Sequence, residues 1–371
     1  MNIASICWLY NINYGGVETR AHNIARHLAK DESLDFIFAE TIWPTSEYIG
    51  ESPDITYNPL QIIVHPYKIH RKSFWERIFI KRAKRYIQKN ISQFDVIEGQ
   101  GINSIPGIES NKPTVATIHG TNPWTGNKSP LHEKTLREAD KLVPVTNETE
   151  KALINEGIDD DRIQTIPNGV DFQGITQHSN ADFDQLWKKY GIKDSKTILS
   201  VSSFHDKKNI GMLIDSFDTF RNEYPNAQLL LIGDGPNKRK YIDYCENNNI
   251  ESIKFLGKVP ESDLYQLYNS CDLFVLPSKS ESWGIVFLEA MAGKCPTIMT
   301  SGCGIREIVE NRRHTIIVDP NDRTSLVESM IELFDNTKLR EKIIVNGFDI
   351  ANDYRWAKQA QKMKHLMDGL V

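Results

Sequence analysis

Twelve short runs rich in β-branched and aliphatic residues recur along this chain, and a helical pattern separates nearly every one from the next. That alternation most restricts what it can become. It is the sequence form of βα units wound around a parallel sheet, because parallel neighbours need a crossover and a helix is the usual one. In the first half the predicted strands are NIASIC from Asn2, LDFIFAE from Leu34, QIIV from Gln61, FDVIEG from Phe94, PTVATIH from Pro113 and KLVPV from Lys141. The series restarts with TILSVSS from Thr197 and runs through QLLLIG, SIKFLG, DLFVLPS, PTIMTS and HTIIVDP. A chain of 371 residues is long enough for two such sheets. The expected fold class is α/β, with two Rossmann-like domains whose sheets face each other across a cleft. The expected divisions are residues 1–170, a polar linker at 171–192, residues 193–352, and a terminal helix at 353–371.

Composition narrows the class further. Hydrophobic residues make up 40% and charged residues 25%, which excludes collagen-like and wholly disordered chains. The net charge of −5 argues against a molecule built to coat nucleic acid. The N-terminal MNIASICWLY lacks the basic and apolar regions of a secretory signal. No apolar run nears the roughly 20 residues that span a bilayer, so the expectation is a cytoplasmic chain. Cys7, Cys245, Cys271, Cys295 and Cys303 form no C-x-x-C pair and read as reduced thiols. Asn127-Lys128-Ser129 and Asn147-Glu148-Thr149 match the N-glycosylation pattern, which has no use without a secretion route.

In open parallel sheets ligands sit beyond the carboxyl ends of the strands, where helix N-termini offer free N–H groups to anions. The loops after the strands are therefore the candidate sites. The first, Asn13-Tyr14-Gly15-Gly16-Val17-Glu18, reads either as a tight turn or as a backbone that lets a phosphate or sugar approach closely. It is not G-x-G-x-x-G, and Glu40 fits only loosely the acid that a nicotinamide dinucleotide fold requires. Gly233-Asp234-Gly235-Pro236 has the same two readings. In PSKSESWGIVFLEAMAGKCP, Gly284 precedes an apolar helical run, and Glu281 and Glu289 are separated by seven residues. A helix starting near Gly284 would attract a diphosphate, and the two acids would accept hydrogen bonds from hydroxyls on either side of it. Two solvated surface acids are the alternative.

The ordered set IPNGVD at 166–171, KKNIGMLIDSF from Lys207, LLIGDGP, IKFLGKV, ESWGIVFLEAMA and YRWAKQ at 354–359 resembles the glycosyl transferases of group 1. These are retaining, nucleotide-sugar-dependent hexosyltransferases with two Rossmann-like domains and an E-x7-E motif. The resemblance implies a hexose moved from a UDP- or GDP-sugar to a hydroxyl acceptor, a glycan or lipid-linked glycan, with no metal and no further cofactor. It implies that Glu281 contacts donor-sugar hydroxyls, Glu289 holds the ribose, Lys208 neutralises the diphosphate, and Gly16 lies near the phosphates. His119 would face the donor sugar, with a buried structural histidine as the alternative. Val259 would offer backbone groups to the base, and Gly284 and Ile285 would open the phosphate-facing helix. It also implies that the terminal helix returns to the first domain.

Two departures accompany the match. Ser202-Ser203 stands where the family carries Gly-Arg, so Ser203 replaces a guanidinium that pairs with the diphosphate, and Lys207 beside Lys208 could compensate in part. Cys303 interrupts the usual Gly-Gly pair in Ser301-Gly302-Cys303-Gly304. A non-catalytic nucleotide-sugar-binding protein or partner subunit on the same fold is therefore the rival reading. No H-E-x-x-H and no D-x-D after a strand occur, so a metal-dependent transferase is disfavoured.

One segment is strongly basic in an acidic chain. Residues 68–89 carry Lys68, Arg71, Lys72, Arg77, Lys81, Arg82, Lys84, Arg85 and Lys89 against the single acid Glu76. At helical spacing Trp75, Ile78, Phe79 and Tyr86 share a face opposite Arg77, Lys81, Lys84 and Arg85. Either the helix packs on the core with a solvated charged face, or Trp75, Lys81, Lys84 and Arg85 dock it on anionic lipid. Nucleic acid is the least favoured partner.

Overall fold

The computed structural model describes residues 1–8, 15–40, 52–61, 72–121, 124–126, 128–179 and 183–371. Asn13, Tyr14, Lys68, Arg71 and Asn127 lie outside these residues. The chain divides into two units, Met1–Asn168 with Trp356–Val371, and Gly169–Arg355.

The first unit holds a six-stranded parallel sheet: β1 (Asn2–Cys7), β2 (Ser33–Glu40), β3 (Thr56–Gln61), β4 (Val96–Gln100), β5 (Thr114–Ile118) and β6 (Lys141–Pro144), in the order β3-β2-β1-β4-β5-β6. β4 and β5 are buried at every position, as a sheet covered on both faces requires. Helix Gly16–Leu28 enters beside Gly15, whose N–H donates to Glu18 Oε2 at 3.1 Å. The last helix, Trp356–Asp368, packs on that first helix, its Met363 and Met367 are buried, and Lys364 pairs with Glu32.

One expected strand moves. The apolar QIIV predicts a strand starting at Gln61, but β3 ends there and takes in the polar TYNPLQ, while 62–64 lie outside the described residues. β3 is an edge strand, so Pro59 can sit opposite Phe38 without costing a ladder bond on a second side.

The second unit repeats the topology. Its strands are β7 (Thr197–Val201), β8 (Gln228–Ile232), β9 (Ile253–Gly257), β10 (Leu273–Leu276), β11 (Thr297–Thr300) and β12 (Ile316–Val318), ordered β12-β11-β10-β7-β8-β9 and all parallel. In each sheet the chain reverses its direction of travel once, between β1 and β4 and between β7 and β10. Those switch points are where loops diverge and a crevice opens. Within the segment expected to be a linker, Phe172–Thr176 and Asp184–Tyr190 are helical. Asp171 caps the former by accepting from Gly174 N–H at 3.0 Å, and Leu186 of the latter is buried.

All five cysteines are free thiols, but Cys271 and Cys295 are not remote from each other. They precede the paired strands β10 and β11, and their sulfurs lie 2.7 Å apart. Among the described residues no helix is long and apolar enough to cross a membrane.

Candidate active site

In the second unit the chemistry gathers at the switch point. β7 feeds a loop through Ser202 and Ser203 into a 3-10 turn, Asp206–Lys208, which Asn209 ends in the left-handed region at φ 56°. Asparagine tolerates that conformation better than most residues, and its amide anchors the turn by donating to Pro320 O at 2.9 Å. The turn aims Lys208 inward, leaving it 8% exposed. β10 feeds the neighbouring loop, and the two are tied where Lys279 N–H donates to Lys207 O at 2.7 Å.

Glu281 is fixed from its backbone. Its N–H donates to Gly302 O at 3.0 Å and its carbonyl accepts from Gly304 N–H at 2.9 Å. A Cβ on Gly302 would lie 2.3 Å from Lys279 O, so glycine is required there. Cys303, which interrupts the usual Gly-Gly pair, is buried between these two glycines. So held, Glu281 Oε2 stands 2.6 Å from Lys208 Nζ, and Oε1 also contacts it. Gly284, at φ 101°, then turns the chain into helix Ile285–Ala292, and a Cβ on it would meet the Phe287 ring at 2.9 Å.

Glu289 lies on the second turn of that helix. It accepts a hydrogen bond from Tyr268 Oη at 2.8 Å. Burial, with Glu261 and Asp171 adding to it, pushes its carboxyl up to about 7 against the pull of the Tyr268 bond. Ser203 is exposed, and Val259 is half-buried just past β9. The Gly233 and Gly235 loop serves packing. Cβ atoms there would strike Ser202 O at 1.9 Å and Phe204 N at 2.6 Å, so these glycines hold the loop that carries Ser203.

In the first unit, Gly16 opens the first helix and is exposed. His119 follows β5, half-buried, with Nε2 2.7 Å from Gln100 Oε1. Behind it is a polar cluster that the motifs did not single out: Ser5, Glu98, Gln100, Thr117 and Arg20. Glu98 is 3% exposed at the centre of β4, and Arg20 is 1% exposed. Arg20 donates to Pro167 O at 3.0 Å and Asn168 Oδ1 at 3.1 Å, which gives IPNGVD a structural partner. Burial lowers the Arg20 pKa to about 10 and the Glu98 charge opposes that. Glutamate and glutamine inside the otherwise apolar VIEGQ strand were the available sign.

The basic helix Lys72–Lys89 corrects one expectation outright and modifies another. Trp75 is not membrane-facing: it packs on the cluster of Phe79, Ala83, Ile87 and Phe94, and its indole N–H is buried. Lys84 pairs with Glu109 at 2.7 Å, a carboxylate shared with Lys134. Arg77, Lys81, Arg82, Arg85 and Lys89 remain exposed, and Phe74 is 53% exposed beside them. The amphipathic period is real, but it orients the aromatic Trp75 toward the core, because a half-buried indole gains more from apolar packing than from water.

Two sheets with Rossmann order, each with polar groups gathered at its switch point, define a two-domain Rossmann-like protein. The model for the glycosyl transferases of group 1 matches residues 182–349 of this chain, and the model described as Glycosyltransferase Family 4 matches 14–173. Among curated relatives, N-acetyl-alpha-D-glucosaminyl L-malate synthase of Bacillus anthracis is 31% identical over 235 residues, 62% of this chain and 60% of that protein. Mannosylfructose-phosphate synthase of Agrobacterium fabrum is 28% identical over 244 residues, 63% of this chain and 54% of that protein. The chain thus spans somewhat over half the length of these relatives. Among solved structures, Anabaena Alr3699/HepE in complex with UDP is similar with a TM-score of 0.77 and 18% identity, covering 100% of both chains.

Proposed function

We propose that this protein transfers a hexose from a UDP- or GDP-sugar to a hydroxyl of a glycan or lipid-linked glycan, with retention of anomeric configuration and without a metal. The observation that carries the reading is the Lys208–Glu281 pair at the switch point of the second sheet. A buried ammonium beside a helix N-terminus is suited to a diphosphate, and a carboxylate held from its backbone is suited to sugar hydroxyls. Lys208 stabilises the charge that develops on the departing nucleotide, as a preorganised cation does for an oxyanion. Glu281 accepts from the donor sugar, Glu289 from the ribose, and Val259 meets the base through its backbone. Gly284 and Ile285 present N–H groups to the phosphates, and in the first unit Gly16 and His119 are the residues suited to a phosphate and a sugar. The UDP in the Anabaena structure supports the choice of donor class.

A second reading, a nucleotide-sugar-binding or partner subunit without turnover, is favoured by Ser203, which supplies no charge where a guanidinium is expected. A thermal-shift panel of UDP, GDP and their sugars tests the shared premise, since a native-state ligand raises the melting temperature. No shift with any of them removes both readings. Binding without hydrolysis or transfer under any acceptor mixture selects the second. We further propose that the protein works on the cytosolic face of a membrane, held by the exposed cations of helix Lys72–Lys89.

A further inference from the structure

Glu98, Gln100 and His119 form a chain of hydrogen bonds whose polarity is set at one end. Glu98 and Gln100 share a face of β4 because strand side chains alternate, and Ser5 of β1 is in register with Glu98. The Glu98 carboxylate accepts from Ser5 Oγ at 2.8 Å, from Thr117 Oγ1 at 3.0 Å and from Gln100 Nε2 at 2.5 Å. Burial raises the Glu98 pKa, and these three donors and the charge of Arg20 offset that only in part.

Glu98 Oε1 accepts from both Thr117 Oγ1 and Gln100 Nε2, so the amide NH2 of Gln100 is turned to Glu98 and the amide oxygen to His119. That oxygen only accepts. At 2.7 Å the imidazole Nε2 must therefore carry a proton. Burial and the nearby Arg20 charge lower the His119 pKa to about 3, so the ring is neutral and carries that one proton.

We infer that Glu98 and Gln100 are positioning residues that fix His119 as its Nε2–H tautomer and leave Nδ1 as a lone pair. The group that His119 contacts is then a hydrogen-bond donor, a hydroxyl, and not a phosphate oxygen. Resting on the donor reading above, this deepens it: a phosphate-seeking imidazole would be cationic or would direct an N–H outward.

Long-range proton–nitrogen NMR on histidine-labelled protein tests the inference, with His119→Gln assigning the signal. The expected result at about pH 7 is a protonated Nε2 and an unprotonated Nδ1. Gln100→Leu should give a mixture of tautomers. Its kcat for donor turnover should fall about tenfold, the size of one misdirected hydrogen bond, while UDP affinity holds. If that variant does not fold, the isosteric Glu98→Gln puts an amide, which can present either end to Gln100, in place of the accepting Oε1 and should mix the tautomers as well. A native proton on Nδ1 or on both nitrogens overturns the inference, and so does an unchanged tautomer in a folded variant. A native Nε2–H ring in a protein that binds no nucleotide sugar would leave the relay standing and remove the donor reading instead.

Discussion

Lys208 Nζ sits 2.6 Å from Glu281 Oε2, and the side chains are only 10% and 13% exposed. A pair this buried is costly to break from one side, because the survivor is left as an uncompensated charge. Lys208→Met and Glu281→Leu should each destabilise the fold by about 3 kcal/mol. The double variant Lys208→Met with Glu281→Leu should be less destabilised than the sum of the singles. Urea unfolding of the four proteins measures this, and strict additivity would show that the pair is not coupled.

The same pair divides the labour of binding. Lys208→Ala should lose transfer severely, while Glu281→Ala and His119→Ala should lose turnover more than affinity for bare nucleotide. Glu289→Ala should weaken donor binding by about 1.5–3 kcal/mol, the worth of a charged hydrogen bond. Calorimetry with UDP and with a UDP-sugar separates these; equal loss of nucleotide affinity in all of them would undo the assignment.

Glu289 should make donor binding depend on pH. Its pKa near 7 lies above the ordinary 4.5, so the folded state holds the proton that the unfolded chain releases. Stability contributed by the protonated carboxyl is complete below 4.5 and is lost as pH rises to about 7. Ionisation makes the group a stronger acceptor, so affinity for a UDP-sugar should rise through that same range. Glu289→Gln should flatten both profiles; a curve identical to the parent's would assign the titration elsewhere.

Ser203 is exposed at the loop after β7, so a longer side chain can enter solvent without displacing the core. Ser203→Arg should preserve or raise donor affinity by restoring a guanidinium near the diphosphate. A fall in affinity would mean that the site has been rebuilt around serine.

Helix Lys72–Lys89 should bind anionic but not neutral vesicles and release them as salt rises, since exposed charges are screened over about 8 Å at physiological ionic strength. Replacing Arg77, Lys81 and Arg85 by Gln should weaken sedimentation with vesicles and leave soluble turnover nearly intact. Lys84 is left out because its pairing with Glu109 belongs to the fold. Parental vesicle binding in the triple variant would end the membrane reading.

Cys271 and Cys295 should be the pair that a mild oxidant closes, two thiols giving up two electrons and two protons to diamide. Peptide mapping should find that crosslink and leave Cys7, Cys245 and Cys303 as thiols. The buried Cys295 thiol is pushed well above its usual pKa, so the reaction should be slow. A different pairing would contradict the geometry.

Eleven of the twelve strands could be read from local runs, because a strand covered on both faces is mostly apolar along its length. β3 could not: its TYNPLQ is tolerated only because it lies at an edge, and edge position is a property of the sheet. The same limit governs the site. Glu281 and Glu289 stand out through their spacing in one helix-loop segment, whereas Lys208 meets Glu281 across 73 residues only because β7 and β10 are neighbours. Trp75 was placed on a face by its period, yet which face looks inward was decided by the cluster it packs on. Likewise Ser5 and Thr117 are unremarkable where they stand in the chain, and nothing local joins them to Glu98 or His119. Parallel pairing of β1, β4 and β5 makes them one cluster, because local order along a strand fixes a side chain's face while only the sheet fixes its neighbours.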